Sequence, residues 1–397
     1  MKKTFGKRQL LLAVVAGIAA GALCMVGVYG LLFGGLDSYA ATRKFSAVYN
    51  AIDKNFVGNA KMEDVSDAAY SAMVDATGDK WSMYLNQKDY TLYQQYAQNS
   101  YSGIGVTIQK DSASGLYRVA SVLEDSPASR AGVESGELLL SVGGTSLQGK
   151  SAEQIHALIT GQKGDFLLGL RAADGTERSV TISTAVVVSK PVSYQMLDND
   201  IGYVHIKNFE KGAGDGTVTA INDLVSKGAK GIVFDVREDP GGLLTELLKA
   251  LDHILPEGDL FVSRDENGSE RVEKSDANCV KLPMTVLVNA DTYSAAEFFA
   301  AALSEYNWAK IVGTHTTGKA RSQINIELGD GSAVHLSTRS YLTPHRVDLA
   351  EKGGIAPDVE VSMSESDETL LKSGKLSLEN DGQLQAAVRT LENEIAG

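Results

Sequence analysis

Met284-Thr-Val-Leu-Val-Asn289 is an unbroken apolar run that leads into Asp291-Thr-Tyr-Ser294-Ala-Ala-Glu297 and then a helical pattern reaching Tyr306. A short run rich in β-branched residues, followed within a few positions by a helix start, describes a buried strand feeding a crossover helix. Gly231-Ile-Val-Phe-Asp-Val236 repeats the pattern, with a turn at Pro240-Gly241-Gly242 and a helix over about residues 243–254. Ala309-Lys-Ile-Val-Gly313 reads as a third strand. Strand–helix–strand alternation predicts a mostly parallel sheet with crossover helices. Sites in such sheets form beyond the carboxyl ends of the strands, where Gly241, Gly242 and Ser294 all fall.

Outward from this α/β core, residues 99–187 change character. Val106-Thr-Ile108, Val119-Ala-Ser-Val122, Leu138-Leu-Leu-Ser-Val142, Phe166-Leu-Leu-Gly-Leu170 and Val180-Thr-Ile182 are separated by Gly-containing turns, with one helix near residues 151–159. This is the pattern of a small inserted β-rich domain. Residues 42–98 are expected to form a helical arm, because Phe45, Val48, Ile52 and Phe56 recur near a 3.6 period, as do Val65, Ala68, Ala69, Ala72 and Met73. The core then spans 188–363, and the polar segment 364–397 ends in an amphipathic helix after Asp381.

Residues 1–41 carry a topological signal. Lys2, Lys3, Lys7 and Arg8 precede an uncharged apolar run from about Gln9 to Gly35, long enough to span a bilayer as one helix. Positive flanks stay inside, so the expected arrangement is a single-pass cell-membrane anchor with the rest of the chain extracytoplasmic. Ser38-Tyr-Ala40 resembles a cleavage site, and release after signal cleavage near Ala40 is the alternative.

Composition narrows the function classes. The chain has 397 residues, 43% hydrophobic and 22% charged, which is globular rather than disordered. A net charge of -13 without a basic stripe argues against nucleic-acid binding. Only Cys24 and Cys279 are present, and no Cys/His group has metal-ligand spacing, so neither a disulfide framework nor a metal is expected.

Ser294 opens its helix, where free N–H groups and the helix dipole lie where an oxyanion would form. Ser294-x-x-Glu297 is equally a capping box, which needs no catalysis. Lys319, in Thr316-Thr-Gly-Lys319, is a surface lysine or a general base. A basic role requires desolvation, because bringing a lysine from about 10.4 to near 7 costs about 4–5 kcal/mol. Gln323 lies four positions on, and strand geometry would put both side chains on one face. Gly241 and Gly242 form either a plain turn or a backbone amide able to approach a substrate carbonyl. His315 is the alternative base, although no Gly-x-Ser-x-Gly elbow accompanies it.

Taken together these segments resemble the carboxyl-terminal processing peptidases, the Ser-Lys family that includes the tail-specific proteases. Asp291-Thr-Tyr-Ser294-Ala-Ala-Glu297 matches the family's nucleophile segment, and Gly318-Lys319-Ala-Arg-Ser-Gln323 its lysine segment, at the family's interval of 25. Asp235-Val-Arg-Glu-Asp-Pro-Gly-Gly242 is similar to the family's Gly-Gly turn, and Gly354-Ile-Ala-Pro-Asp358 to its closing motif. The resemblance implies Ser294 as nucleophile, Lys319 as base and Gln323 as the orienting third member. Gly241 or Gly242, with Ala295, would supply the oxyanion-hole amides. Tyr101-Ser102-Gly103-Ile104-Gly105-Val106, Ser126-Pro-Ala-Ser-Arg-Ala-Gly132 and Gly136-Glu-Leu-Leu-Leu-Ser-Val142 resemble a PDZ domain, in which residues 101–106 would bind peptide, the Gly103-Ile-Gly-Val106 loop holding a terminal carboxylate while the peptide adds a strand. The implied partners are proteins and peptides with free C-termini, and the membrane through the N-terminal helix. No cofactor is implied, and self-association stays open. Several positions depart from the family pattern: Tyr293, Ala296, Ala320, Thr160 before Gly161 where Arg is frequent, and Glu238-Asp239 where Asn is common.

Overall fold

The computed structural model describes residues 7–33 and 36–396, apart from a number of side chains between residues 7 and 38. Two compact units divide it, residues 1–80 and 81–397. The first contains the helices Lys7–Phe33, Leu36–Asn55 and Met62–Asp75, the last two joined by a stacked Phe45–Tyr70 pair at 5.6 Å. The expected anchor corresponds to Lys7–Phe33, but Lys2, Lys3, Gly34 and Gly35 lie outside the described residues. Among the described residues no helix is long and apolar enough to cross a membrane, so the fold lends the anchor no support.

In the larger unit the expected alternation gives a six-stranded sheet in the order Val192–Met196, Ile201–Ile206, Gly231–Asp235, Met284–Val288, Ala309–Gly313, Val359–Glu360. Its first pair is antiparallel and every later pair parallel. Both faces are covered, which is why these strands read as continuous apolar runs rather than alternating ones. Val233, Leu287 and Val312 point to one face, where Leu384, Ala387 and Leu391 of the C-terminal helix Gly382–Ala396 pack. Ile232, Phe234, Val286 and Ile311 point to the other.

That second face meets the helix Ala295–Glu305, whose residues Ala295–Leu303 are all buried. A helix apolar on every side needs cover on every side. A second, antiparallel sheet provides it: Met83–Leu85, Ala333–Leu342, Gly258–Arg264 and Glu270–Ser275, with Arg321–Glu327 also paired to Ala333–Leu342. Phe299 packs edge-on against Phe234 of the parallel sheet, and Phe298 against Phe261 and Tyr341 of the antiparallel one. Met83–Leu85 falls inside the segment expected to be all helical. It adds to a sheet edge, with Leu85 buried and Met83 exposed.

The inserted domain is an antiparallel sheet of Val106–Lys110, Tyr117–Val122, Leu138–Val142, Phe166–Arg171 and Glu177–Ile182, with Thr145–Ser146 on one side and the helix Ala152–Thr160. It has its own core of Val119, Leu139, Leu147, Ile155, Leu168 and Leu170. The chain enters and leaves this domain through one antiparallel ribbon, Ser100–Gly103 against Ala185–Val188.

One polar cluster ties the C-terminal helix to the sheet. Arg237, only 2% exposed, pairs with Asp235 and Asp381 at 2.6 Å each and also donates to Gln383. Burial opposes ionisation of Asp235, but the Arg237 guanidinium more than offsets it and brings the carboxyl down to about 2. A depressed carboxyl stabilises the fold above its unfolded pKa, and the contribution is lost as pH falls through the folded value. This cluster should therefore weaken between about pH 4 and pH 2. Arg237→Ala leaves two buried carboxylates unpaired, and we expect a loss of about 3–5 kcal/mol in urea unfolding at pH 7. A loss below about 1 kcal/mol would mean that the cluster is already solvated.

Candidate functional site

Ser294 follows the strand Met284–Val288 and precedes Ala295–Glu305, at the carboxyl end of the parallel sheet. Its backbone is at φ 58, ψ -127, and the residue is buried. An ordinary N-cap is extended at negative φ. A non-glycine in this region carries about 1–3 kcal/mol of strain, and the surrounding structure must hold it there.

Glu297 does much of that holding. Its fully buried carboxylate accepts the Ser294 N–H at 3.1 Å and the Lys319 N–H at 2.8 Å on one oxygen, Oε2. The other oxygen accepts the Gly318 N–H at 2.7 Å and the Thr316 hydroxyl. Glu297 thus begins as the cap that the sequence suggests and continues as a clamp joining two loops. The Lys319 loop is backed further by the Gly354 segment. The Ile355 N–H donates to Thr316 Oγ1 at 2.8 Å, and a Cβ on Gly318 would meet the Gly353 backbone at 2.7 Å.

The lysine side chain points among aromatic rings. Lys319 Nζ lies 4.5 Å from the Trp81 ring centroid and 5.7 Å from that of Tyr293, and these two rings stack on each other at 5.8 Å. Ring faces attract an ammonium while excluding water around it. His315 is exposed instead, with Nδ1 3.0 Å from the Thr316 carbonyl oxygen.

Gln323 lies on a strand that does not include Lys319. The strand starts at Arg321, after Lys319, and has an irregular register between Ser322 and Gln323. A spacing of four therefore does not place the Lys319 and Gln323 side chains on one strand face. The Gln323 Nε2 group donates to the Arg321 carbonyl and to Ser337 Oγ, both at 3.0 Å.

The turn containing Gly241 and Gly242 lies directly against the Ser294-Ala295 segment. A Cβ on Gly241 would lie 2.8 Å from both Ala295 N and Ser294 Cβ, and one on Gly242 would lie 2.3 Å from the Phe209 carbonyl carbon. The φ values of +88 and +152 also require glycine. The turn is pinned by Tyr293 N–H to the Asp239 carbonyl, by Asn289 to Glu238, and by Thr292 to the Val236 carbonyl. Of the amides expected to hold an oxyanion, that of Gly241 is already taken by Asp239 Oδ1 at 2.7 Å. The N–H groups of Gly242 and Ala295 have no acceptor among the described residues.

The peptide-binding segment expected at residues 101–106 divides between a strand and a loop. Tyr101, Ser102 and Gly103 pair with Val187, Val186 and Ala185 in the ribbon and do not belong to a loop. Ile104 and Gly105 do form one. Their carbonyls accept from Ala128 and Leu123, and their N–H groups have no acceptor among the described residues. Gly105, at φ +82, packs so tightly on Ser126 that a Cβ would lie 2.2 Å from that residue's Cβ. Val106 begins an edge strand, open to a further strand. Thr160 bonds within its own helix, to the His156 carbonyl.

Comparison with known proteins bears on the chemistry. The model of peptidase family S41 matches residues 200–361, and a PDZ domain model matches residues 118–167. The carboxy-terminal processing protease CtpA of Bacillus subtilis is 30% identical over 323 residues, 81% of this chain and 69% of that protein. A CtpA-like serine protease of Staphylococcus epidermidis is 27% identical over 330 residues, 82% of this chain and 66% of that protein. A solved S41 protease structure from Bacteroides fragilis, 17% identical, superposes with a TM-score of 0.56 over 82% of this chain and 90% of its own, and so shares the fold.

Removing the clamp isolates its role. Glu297→Ala strips four donors of their acceptor, and we expect peptidase kcat to fall about 100-fold with little change in KM, as for a nucleophile displaced by about 1 Å. Steady-state kinetics on an unfolded protein, with circular dichroism to verify the fold, checks this. A KM effect alone would reassign Glu297 to substrate binding.

Proposed function

Since this chain belongs to the carboxy-terminal processing proteases of peptidase family S41, we propose that it is a Ser-Lys endopeptidase that cleaves extracytoplasmic proteins at or near their C-termini. The observation that carries the reading is the shared Glu297 Oε2, which brings the backbones of Ser294 and Lys319 to one atom. Ser294 Oγ attacks the scissile carbonyl and gives its proton to Lys319 Nζ. The tetrahedral oxyanion is received by the N–H groups of Gly242 and Ala295, the leaving amine takes the proton, and water hydrolyses the acyl-enzyme by the reverse route. Gln323 orients the lysine side of the site through the sheet that it shares with Ser337.

The PDZ domain binds the substrate's terminal carboxylate at Ile104 and Gly105 and aligns the peptide along Val106–Lys110. The ribbon at residues 100–103 and 185–188 is the path by which such binding reaches the core and gates activity. The extracytoplasmic, membrane-anchored location rests on Lys2, Lys3, Lys7, Arg8 and the apolar run that follows them.

Hydrolysis of a denatured protein tests the chemistry. Ser294→Ala should abolish it, Lys319→Ala should lower kcat by about 1000-fold or more, and His315→Ala should leave it within about twofold. Full activity in the lysine variant would sink the mechanism. A second measurement tests the PDZ domain. A fluorescent peptide with a free C-terminus should bind the Ser294→Ala chain at least about tenfold more tightly than its C-terminal amide. Equal affinities would remove the carboxylate from recognition.

A further inference from the structure

Two buried acids lie on opposite sides of the Gly241-Gly242 turn, and the proposed chemistry uses neither. Asp239 is fully buried. Its Oδ1 accepts the Gly241 N–H at 2.7 Å, and its Oδ2 is buried without a hydrogen-bond partner among the described residues. Its carbonyl accepts the N–H of Tyr293, the residue before the nucleophile, at 3.1 Å. Glu210 approaches from the other side: its backbone N lies 2.6 Å from where a Cβ on Gly242 would be. The residue is 6% exposed, and Oε2 is also buried without a hydrogen-bond partner among the described residues.

A carboxylate with a bare buried oxygen is costly, whereas a neutral carboxyl avoids most of that cost. The groups facing Asp239 are Glu210, Asp235, Tyr96 and Tyr293, none of them cationic. Arg237, two positions earlier, is fully engaged by Asp235, Asp381 and Gln383. Facing Glu210 are Glu246, Tyr93, Tyr96 and Lys319. Burial first, and then like charge, push Asp239 well above the ordinary carboxylate range. Burial and Glu246 raise Glu210 to about 7 against the pull of Lys319.

We propose that Asp239 is a positioning residue for the oxyanion hole, holding the Gly241 amide through a neutral carboxyl, and that its ionisation weakens catalysis. The inference rests on the Ser-Lys reading above. A neutral carboxyl still offers its carbonyl oxygen to Gly241 N–H and keeps the next amide, that of Gly242, aimed at the substrate. When Asp239 loses its proton to water, a buried anion stands one peptide from the developing oxyanion and opposes it. Glu210 sets where this happens, because its charge raises the cost of ionising its neighbour.

The test compares kcat against pH for the full chain and for Asp239→Asn, Asp239→Ala and Glu210→Gln on an unfolded protein substrate. Taking the ratio of Asp239→Asn to wild type cancels the titration of Lys319. The expected ratio climbs at alkaline pH, by up to about tenfold per unit, with KM unchanged. Asp239→Ala, without an acceptor, loses about 100-fold in kcat across the range. Glu210→Gln moves the alkaline fall to lower pH.

A readout independent of turnover accompanies it. In the Ser294→Ala chain labelled with 15N-glycine, the Gly241 amide should titrate with a midpoint above the usual carboxylate range, and adding Asp239→Asn should abolish the titration. A flat ratio, or a Gly241 amide that does not titrate, overturns the proposal. Wild type as inactive as Ser294→Ala, with Gly241 still titrating, would support the Asp239–Gly241 link and sink only the peptidase reading.

Discussion

Everything at the site depends on one carboxylate. Glu297 sits on the first turn of a helix buried on all sides and accepts four donors drawn from two stretches of chain, one at Ser294 and one at Thr316, Gly318 and Lys319. A buried carboxylate is tolerable only when its lone pairs are filled, so the loops have little freedom to adopt other arrangements without leaving it bare. The strained Ser294 backbone is part of the same balance: its cost is met by hydrogen bonds that only this conformation makes. The packing of Phe298 and Phe299 between two sheets then fixes the helix that presents the carboxylate.

What could be read from sequence was what local chemistry dictates. The three apolar runs and their helix starts gave the parallel sheet, because a strand covered on both faces has nowhere to place polar residues. Gly241-Gly242 stood out because only glycine fits, and the contacts a Cβ would make explain why. The Glu297 cap was legible because Ser294 is three residues away, but its other partners lie about 20 residues downstream and leave no local trace. Gln323 failed as a spacing argument for a similar reason: the irregularity beside it arises from pairing with Ser337 and Arg339, which periodicity cannot register. Gly103 reads as part of a Gly-Ile-Gly-Val loop because the motif is contiguous in sequence, while its strand partner Ala185 lies more than 80 residues later. Asp239 was conspicuous as a charge where Asn is common, yet its complete burial emerges only when Glu210 and Tyr96 are folded against it.

The site also shows how two electrostatic demands are kept apart. Lys319 is held over aromatic faces, whose quadrupoles interact with a cation without adding a full negative charge. Asp239 and Glu210 are buried against the glycine turn, and the full ion pairing of the region is made at Arg237. The Ser294 and Lys319 backbones thus share one saturated carboxylate, and the Lys319 ammonium lies over two rings while Glu210 interacts with its charge.

The ribbon that leads into and out of the PDZ domain has an architectural consequence. The Ser189 N–H donates to the Asn99 carbonyl at 2.8 Å, so the two ends of the insertion meet within one hydrogen bond. A module attached at a single point, with its own apolar core, adds almost no topological demand to its host. The peptidase sheet can be completed whether the intervening chain is a PDZ domain, another fold or a short turn. The insertion is therefore a socket: the sheet it leaves and re-enters does not depend on which domain fills it.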